Sequence, residues 1–373
     1  MTIDRRTLIQ SSSLLAAGAG AALLGNSAEA ATRPKQPIGY PRIATEEAFI
    51  TPELREIYAT LGEATWNIAD PIIMPRQTES GGQLAEDLVD FDNQRLRQMD
   101  EAGVSMHLLS LTCPGVQILR PDIAVAMARL ANDQLAAAIQ RHPTRYRGLA
   151  ALAPQDPKAA VTEMERAINT LKLNGFIINS HTNNEYLDDK KYWPILEAAE
   201  HLDRPIYIHP RTPSVWLTQP FDVGPMAGPF WGYSTEVSVH VMRMFLAGVF
   251  DRFPKLQIVI GHLGETIPYY LWRCDWALNR GAKPGGTFSE VFRRNVAITT
   301  SGAGLYDSAN ASAVPALKCA IEAVGADNIM WAIDYPYVAK MKPAVDFLDK
   351  ADISDQDREK IYHLNAKRIF KLT

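Results

Sequence analysis

Eight short apolar runs, each followed by a longer stretch of helical periodicity, constrain this chain more than any other feature of its sequence. The runs are IATEEAF (43–49), MHLLSL (106–111), RGLAAL (147–152), GFIINS (175–180), PIYIHP (205–210), LQIVIGH (256–262), VAITTS (296–301) and IMWAIDYP (329–336). Amphipathic segments such as DFDNQRLRQMDEAG and AVTEMERAINTLKLN separate them. Near-continuous apolar runs mark strands covered on both faces, and strict strand–helix alternation requires parallel pairing with the helices outside. Eight such units close naturally into an α/β (β/α)8 TIM barrel. An open doubly wound sheet is the competing arrangement, but no GxGxxG or GxxxxGK[ST] follows an early strand. Residues 42–373 are therefore read as one barrel domain.

Charge and cysteine usage remove several classes of partner. With Lys+Arg at 38 and Asp+Glu at 42, the chain carries a formal net charge of -4 and no basic footprint, which argues against nucleic acid. Cys113, Cys274 and Cys319 show no CxxC or zinc-ribbon spacing and read as ordinary buried or free thiols, not as a disulfide framework.

The N-terminus has a composition of its own. Arg5 and Arg6 precede the run SLLAAGAGAALLG and then AEAA, a small-x-small cleavage site after Ala30. Residues 1–30 thus read as a signal peptide, and the arginine pair resembles the twin-arginine export type, which carries folded proteins. The apolar run is short and diluted by Gly and Ser, which disfavours an uncleaved membrane anchor. Residues 31–41 read as an extended, proline-containing leader. The expected location is periplasmic or exported, with no membrane association after cleavage.

Two long connections leave strand C-terminal ends, residues 50–90 and 211–233. The second is rich in Pro, Gly and aromatics. At the C-terminal face of a barrel it is expected to form a lid or pocket wall.

Residues able to ligate a metal recur at those same ends: Glu46 on the first strand, His209 on the fifth, His262 on the sixth and Asp334 on the eighth. A carboxylate facing the inside of a barrel is costly unless paired or metal-bound, and four such residues would ring one mouth. Alternation turns Glu46 and Ala48 inward together and Glu47 toward the helices. Ala48 offers no second ligand, so the first strand supplies one carboxylate and an open side. Three protein ligands with open positions is the pattern of a catalytic metal site. A complete ligand set also argues against a merely binding barrel. His240, four residues after Glu236, is expected in a structural hydrogen bond. His181 and Asn179 fit either a substrate contact or a solvated loop start. Arg211 is placed to meet a carboxylate or to pin the following loop. Trp216, Phe230, Trp231, Tyr335 and Tyr337 are candidates for an aromatic pocket wall. His107, His142, His201 and His363 read as structural.

From residue 42 onward the chain resembles the amidohydrolase superfamily. The resemblance is to the branch of metal-dependent aromatic acid decarboxylases that includes 2,3-dihydroxybenzoate, γ-resorcylate and 5-carboxyvanillate decarboxylases. It is carried by EEAF (46–49), YIHPR (207–211), GVFDRFPKLQIVIGHLGETIPYYLWR (248–273), IMWAIDYP (329–336) and HLNAKRIFKL (363–372). It implies one divalent ion, Zn2+ or Mn2+, held by Glu46, His209 and Asp334. It also implies a His262–Glu265 dyad beside the substrate, with Arg273 in the same region. Hydrolytic relatives often carry His-x-His on the first strand and a carbamylated Lys on the fourth. Ala48 and GFIINSHTN depart from both, which disfavours a two-metal hydrolase.

The expected reaction is loss of CO2 from a hydroxylated aromatic acid. Asp334 would protonate the ring carbon, while His262, oriented by Glu265, polarises or deprotonates the ring hydroxyl. The alternative is a mononuclear metal-dependent hydrolase of a lactone, ester or amide, in which the same groups activate water. A small aromatic acid is the expected substrate, and a homo-oligomer, dimer or tetramer, the expected assembly by analogy.

Overall fold

Each of the eight apolar runs yields a strand. The structure, a computed structural model, describes residues 39–61, 70, 72–278, 286–303 and 313–372. The signal-peptide region and most of the leader lie outside the described residues. The strands are β1 (Ile43–Phe49), β2 (Met106–Leu111), β3 (Tyr146–Ala151), β4 (Gly175–Ile178), β5 (Ile206–Ile208), β6 (Ile258–Ile260), β7 (Val296–Thr299) and β8 (Ile329–Met330). They pair in chain order, each parallel to the next. Between β8 and β1 the ring is completed by the Thr45 amide on the Trp331 carbonyl at 3.1 Å and the Ala48 amide on the Tyr335 carbonyl at 2.7 Å. The architecture is a (β/α)8 barrel.

From β3 onward the strands stop earlier than the apolar runs do. β8 holds 2 residues, Ile329 and Met330, because the chain beyond Met330 leaves the ladder. Those spare residues at the C-terminal ends carry the polar groups of the mouth. Ile206, Ile208, Ile258 and Ile260, alternating with the inward-facing Tyr207 and Val259, are buried between sheet and helices, all at 0% exposure. Each such burial contributes about 1.5–3 kcal/mol.

The helices start and stop where local chemistry directs. Asp156 caps the helix Pro157–Asn169 by accepting the Ala159 amide at 3.0 Å. Thr287 and Glu290 form a reciprocal capping box on Phe288–Asn295. Gly103, at φ 70°, ends Gln94–Ala102 in the left-handed conformation that glycine takes without steric cost. The connection after β1 holds the helices Pro52–Thr60, Met74–Thr78 and Gln83–Val89, and the one after β5 holds the short helix Val215–Thr218. Among the described residues no helix is long and apolar enough to cross a membrane.

Candidate active site

Glu46 sits inside β1, His209 just past β5, His262 just past β6 and Asp334 past β8, all on the C-terminal face. One ligand atom from each of Glu46, His209 and Asp334 lies within 4.8 Å of the others. Glu46 is 3% exposed. Its Oε2 accepts the Tyr207 hydroxyl and the Thr299 hydroxyl, the latter at 2.7 Å. Its Oε1 is buried with no hydrogen-bond partner and lies 3.4 Å from His209 Nε2. His209 Nδ1 is 2.7 Å from the Pro210 carbonyl. That contact places the ring proton on Nδ1 and leaves the Nε2 lone pair for a ligand. Gly261 floors the site, because a Cβ there would come within 2.8 Å of both Glu46 oxygens.

His262 stands beside this triad. Its Nδ1 lies 2.6 Å from Glu265 Oε1, and its Nε2 lies 3.8 Å from Glu46 Oε1 and 3.9 Å from Asp334 Oδ2. Ser234 holds Glu265 Oε2 at 2.7 Å, and the Ser238 hydroxyl donates to the Glu265 carbonyl. The turn that carries the dyad is left-handed throughout, with φ 48° at His262, 56° at Leu263, 82° at Gly264, 52° at Glu265 and 74° at Thr266. Left-handed non-glycine residues cost about 1–2 kcal/mol each, and such strain persists where surrounding structure over-determines it. Here the Ser301 hydroxyl supplies part of that support by accepting the His262 amide at 3.0 Å.

The charges of the site are strongly coupled. Burial opposes ionisation of Glu46, but the neighbouring His262 and His209 and the Ser301 and Tyr207 hydroxyls outweigh it and hold this carboxyl below its usual range. Burial, with the Glu46 charge, holds Asp334 above its usual range against the pull of His262. The two carboxyls are thus pushed in opposite directions. Burial pulls His262 down, but Glu265, Glu46 and Asp334 together raise it well above an ordinary histidine.

A cavity of about 170 Å³ opens onto His209, His262 and Asp334, walled by Arg76, Tyr233 and Tyr337 among others. It falls below the roughly 300–1,000 Å³ of drug-sized sites, which suits a single-ring ligand. Tyr337 is fixed by Gln77 Nε2 at 2.6 Å and Thr112 Oγ1 at 2.5 Å. Arg76 was not singled out in the sequence. Its signal is a cation inside the insertion that leaves β1 at the active face. Asp70 is a second omission: its Oδ1 accepts the Ile72 and Ile73 amides at 3.3 Å, and its Oδ2 accepts the Thr212 amide at 2.9 Å and the Tyr233 hydroxyl at 2.8 Å. It thereby ties the insertion after β1 to the one after β5.

Other expected site residues lie elsewhere. Arg211 is 1% exposed, does not line the cavity and reaches the His181 carbonyl at 3.5 Å, so it acts as the pin of its loop. Trp231 is 50% exposed at the start of the helix Gly232–Leu246, outside the cavity lining. Arg273 is also outside it, with its guanidinium 4.8 Å over the Trp276 ring. Trp231 precedes the helix Gly232–Leu246, and Arg273 lies within the helix Ile267–Leu278. His240 and Glu236 share the Ser180 hydroxyl at 3.1 and 2.9 Å in a buried structural network. His181 is likewise spent on the Thr212 carbonyl at 3.1 Å.

Comparison with known proteins places this constellation. A family profile described as amidohydrolase matches residues 83–372. The chain belongs to the amidohydrolase family. Among solved structures, this amidohydrolase is similar to 5-carboxyvanillate decarboxylase from Sphingomonas paucimobilis, at 41% identity and TM-score 0.82, covering 89% of this chain and 99% of that one. It is 34% identical over 344 residues to the gamma-resorcylate decarboxylase of Polaromonas sp. strain JS666, covering 89% and 98% of the two chains. The 5-carboxyvanillate decarboxylase of Novosphingobium aromaticivorans DSM 12444 is 35% identical, with TM-score 0.82 and coverage of 90% and 97%. That protein was crystallised with manganese and 4-hydroxy-3-methoxy-5-nitrobenzoic acid.

The donor set of the amidohydrolase fits a divalent cation on its own terms. A buried carboxylate oxygen without a partner is costly. Glu46 Oε1 is such an oxygen, and a cation shared with His209 Nε2 and Asp334 would satisfy it.

Proposed function

We propose that this protein is a metal-dependent, non-oxidative carboxy-lyase that removes CO2 from a hydroxylated aromatic acid, with the hydroxyl ortho to the carboxylate. The observation that carries the reading is the partnerless Glu46 Oε1 facing His209 Nε2, on the edge of a one-ring cavity that also holds Asp334 and His262. The decarboxylases among its relatives support the reaction class. Glu46, His209 and Asp334 would hold the ion. Manganese is the ion we propose over zinc, because two of three donors are carboxylates and relatives carry manganese.

When bound, the ion supplies a Lewis-acid contact for the substrate's carboxylate and phenolate oxygens. The chain does the rest. Arg76 offers the charge complement of an acid entering the cavity, and Tyr337 a hydroxyl on its wall. His262, held by Glu265, polarises the ring hydroxyl. Asp334 delivers its proton to the ring carbon that bears the carboxylate; the C–C bond then breaks and CO2 departs. Pro229 and Tyr233, from the insertion after β5, form part of the cavity wall.

The test is CO2 release from a panel of ortho-hydroxylated benzoates with Mn2+ supplied. Metal-dependent release confirms the class. Lactone or ester turnover by the same preparation, with no CO2 from any acid, overturns it in favour of the hydrolase. The exposed row Tyr269, Tyr270, Trp272 and Trp276 on the helix Ile267–Leu278 supports a homo-oligomer, checked by light scattering. Arg5, Arg6 and the site after Ala30 support export to the periplasm, checked by cell fractionation.

A further inference from the structure

Asp334 belongs to no strand, yet it must stand at a fixed distance from Glu46. The segment that carries it leaves the β8 ladder after Met330 and runs through Ile333 and Tyr335, both 0% exposed. Asp334 itself lies at φ 77°, a left-handed conformation that L residues adopt only under constraint. Off the ladder, the amides on either side of it would be buried without acceptors. Glu47 supplies both: one carboxylate oxygen accepts the Ile333 amide at 2.9 Å and the other the Tyr335 amide at 2.9 Å. Glu47 is 0% exposed. Nearby Arg95 donates to the carbonyls of Ala48, Asp87 and Asp90 and lies over the Tyr335 ring, 4.8 Å from its guanidinium carbon.

Glu46 and Glu47 are consecutive on one strand. One carboxylate enters the metal triad directly, and the other grips the two peptide groups that flank the third member of that triad. We propose that Glu47 is a positioning residue: its two-oxygen grip sets Asp334 against Glu46 and so sets the affinity of the triad for a divalent ion. The inference rests on Glu46, His209 and Asp334 as ligands. The residue type follows from the geometry. Gln has a single acceptor and would turn an NH2 toward one of the two amides, and Asp is one methylene shorter than the span requires.

The experiment titrates Mn2+ into the metal-free protein by calorimetry and records the melting temperature of each metal-free variant. Glu47→Gln should weaken Mn2+ binding by about 10- to 100-fold, the usual effect of losing a group that orients a ligand. Glu163→Gln is the control. Glu163 is equally a buried carboxylate, bonded to Asn132 and Arg166 on the outer helices, and its loss should lower the melting temperature while leaving Mn2+ affinity within twofold. If Glu47→Gln does not fold, Glu47→Asp is measured in its place, with the same direction expected. Unchanged Mn2+ affinity in the Glu47 variant overturns the proposal. So does a loss in Glu47→Gln/Asp334→Asn equal to the sum of the two single losses, because a residue acting through Asp334 adds little once Asp334 is altered. Full Mn2+ affinity in Asp334→Asn alone would remove the ligand assignment itself and this proposal with it.

Discussion

Tyr207 donates its phenolic hydrogen to Oε2 of Glu46, and this leaves Oε1 of the same carboxylate directed at His209 Nε2, 3.4 Å away. The phenol thus selects which oxygen faces the metal position. Tyr207→Phe keeps the ring packed and removes only that donor. Mn2+ affinity in this variant should fall by about 10-fold or more, read by calorimetric titration, with little change in the fold by circular dichroism.

Asp334 is the proposed proton donor as well as a proposed metal ligand. At saturating Mn2+, Asp334→Asn should lower kcat for CO2 release by at least about 100-fold, the lower range for loss of a general acid. Turnover near the wild-type rate under those conditions would remove Asp334 from the proton-transfer step.

Arg76 is the cation of the cavity wall. A hydrogen bond to a charged group contributes about 1.5–3 kcal/mol, so Arg76→Leu should raise KM for the aromatic acid by about 10- to 100-fold. The accompanying change in kcat should be smaller. Steady-state kinetics separates the two, and an unchanged KM would show that the carboxylate does not meet Arg76.

Removing the metal should destabilise the protein as well as silence it. A ligand that binds only the folded state adds about 2.7 kcal/mol at a free concentration 100 times its Kd. Chelation should therefore lower the melting temperature by several degrees, and Mn2+ should restore both stability and CO2 release. Failure of Mn2+ to shift the melting curve would contradict the reading of Glu46 Oε1 as a metal-facing atom.

Three buried histidines make stability depend on pH. Burial pushes His240 down to about 3, and His107 and His181 in the same direction. In the unfolded chain each takes a proton near its ordinary pKa of about 6.5. Between those two values the unfolded state binds more protons than the folded one. Stability is then complete above about pH 6.5 and falls as the pH drops toward 3, by about 1.4 kcal/mol per pH unit for each histidine still neutral in the fold. Denaturant titrations from pH 7 to 4.5 measure the slope. His240→Gln should make it shallower by about one proton.

What the sequence determined by itself was the barrel and the ring of polar strand ends. Eight apolar runs in alternation with amphipathic helices leave few other architectures, and a period of two residues tells which side chains face inward. Glu46, His209, His262 and Asp334 stood out because each is a polar residue that ends or interrupts an apolar run, a local mismatch visible without any contact. Tertiary structure alone decided which groups serve them. Tyr207 and Thr299 read as ordinary strand residues, and only closure of the barrel sets both against Glu46 Oε2. Arg76 and Asp70 lie in an insertion whose course depends on what it packs against, and a motif does not tell whether Arg273 or Trp231 reaches the cavity lining. Strand patterns are short-range, set by backbone geometry and burial over a few residues. Partners 161 and 253 positions away are set by how eight strands close, and that closure is a property of the whole chain.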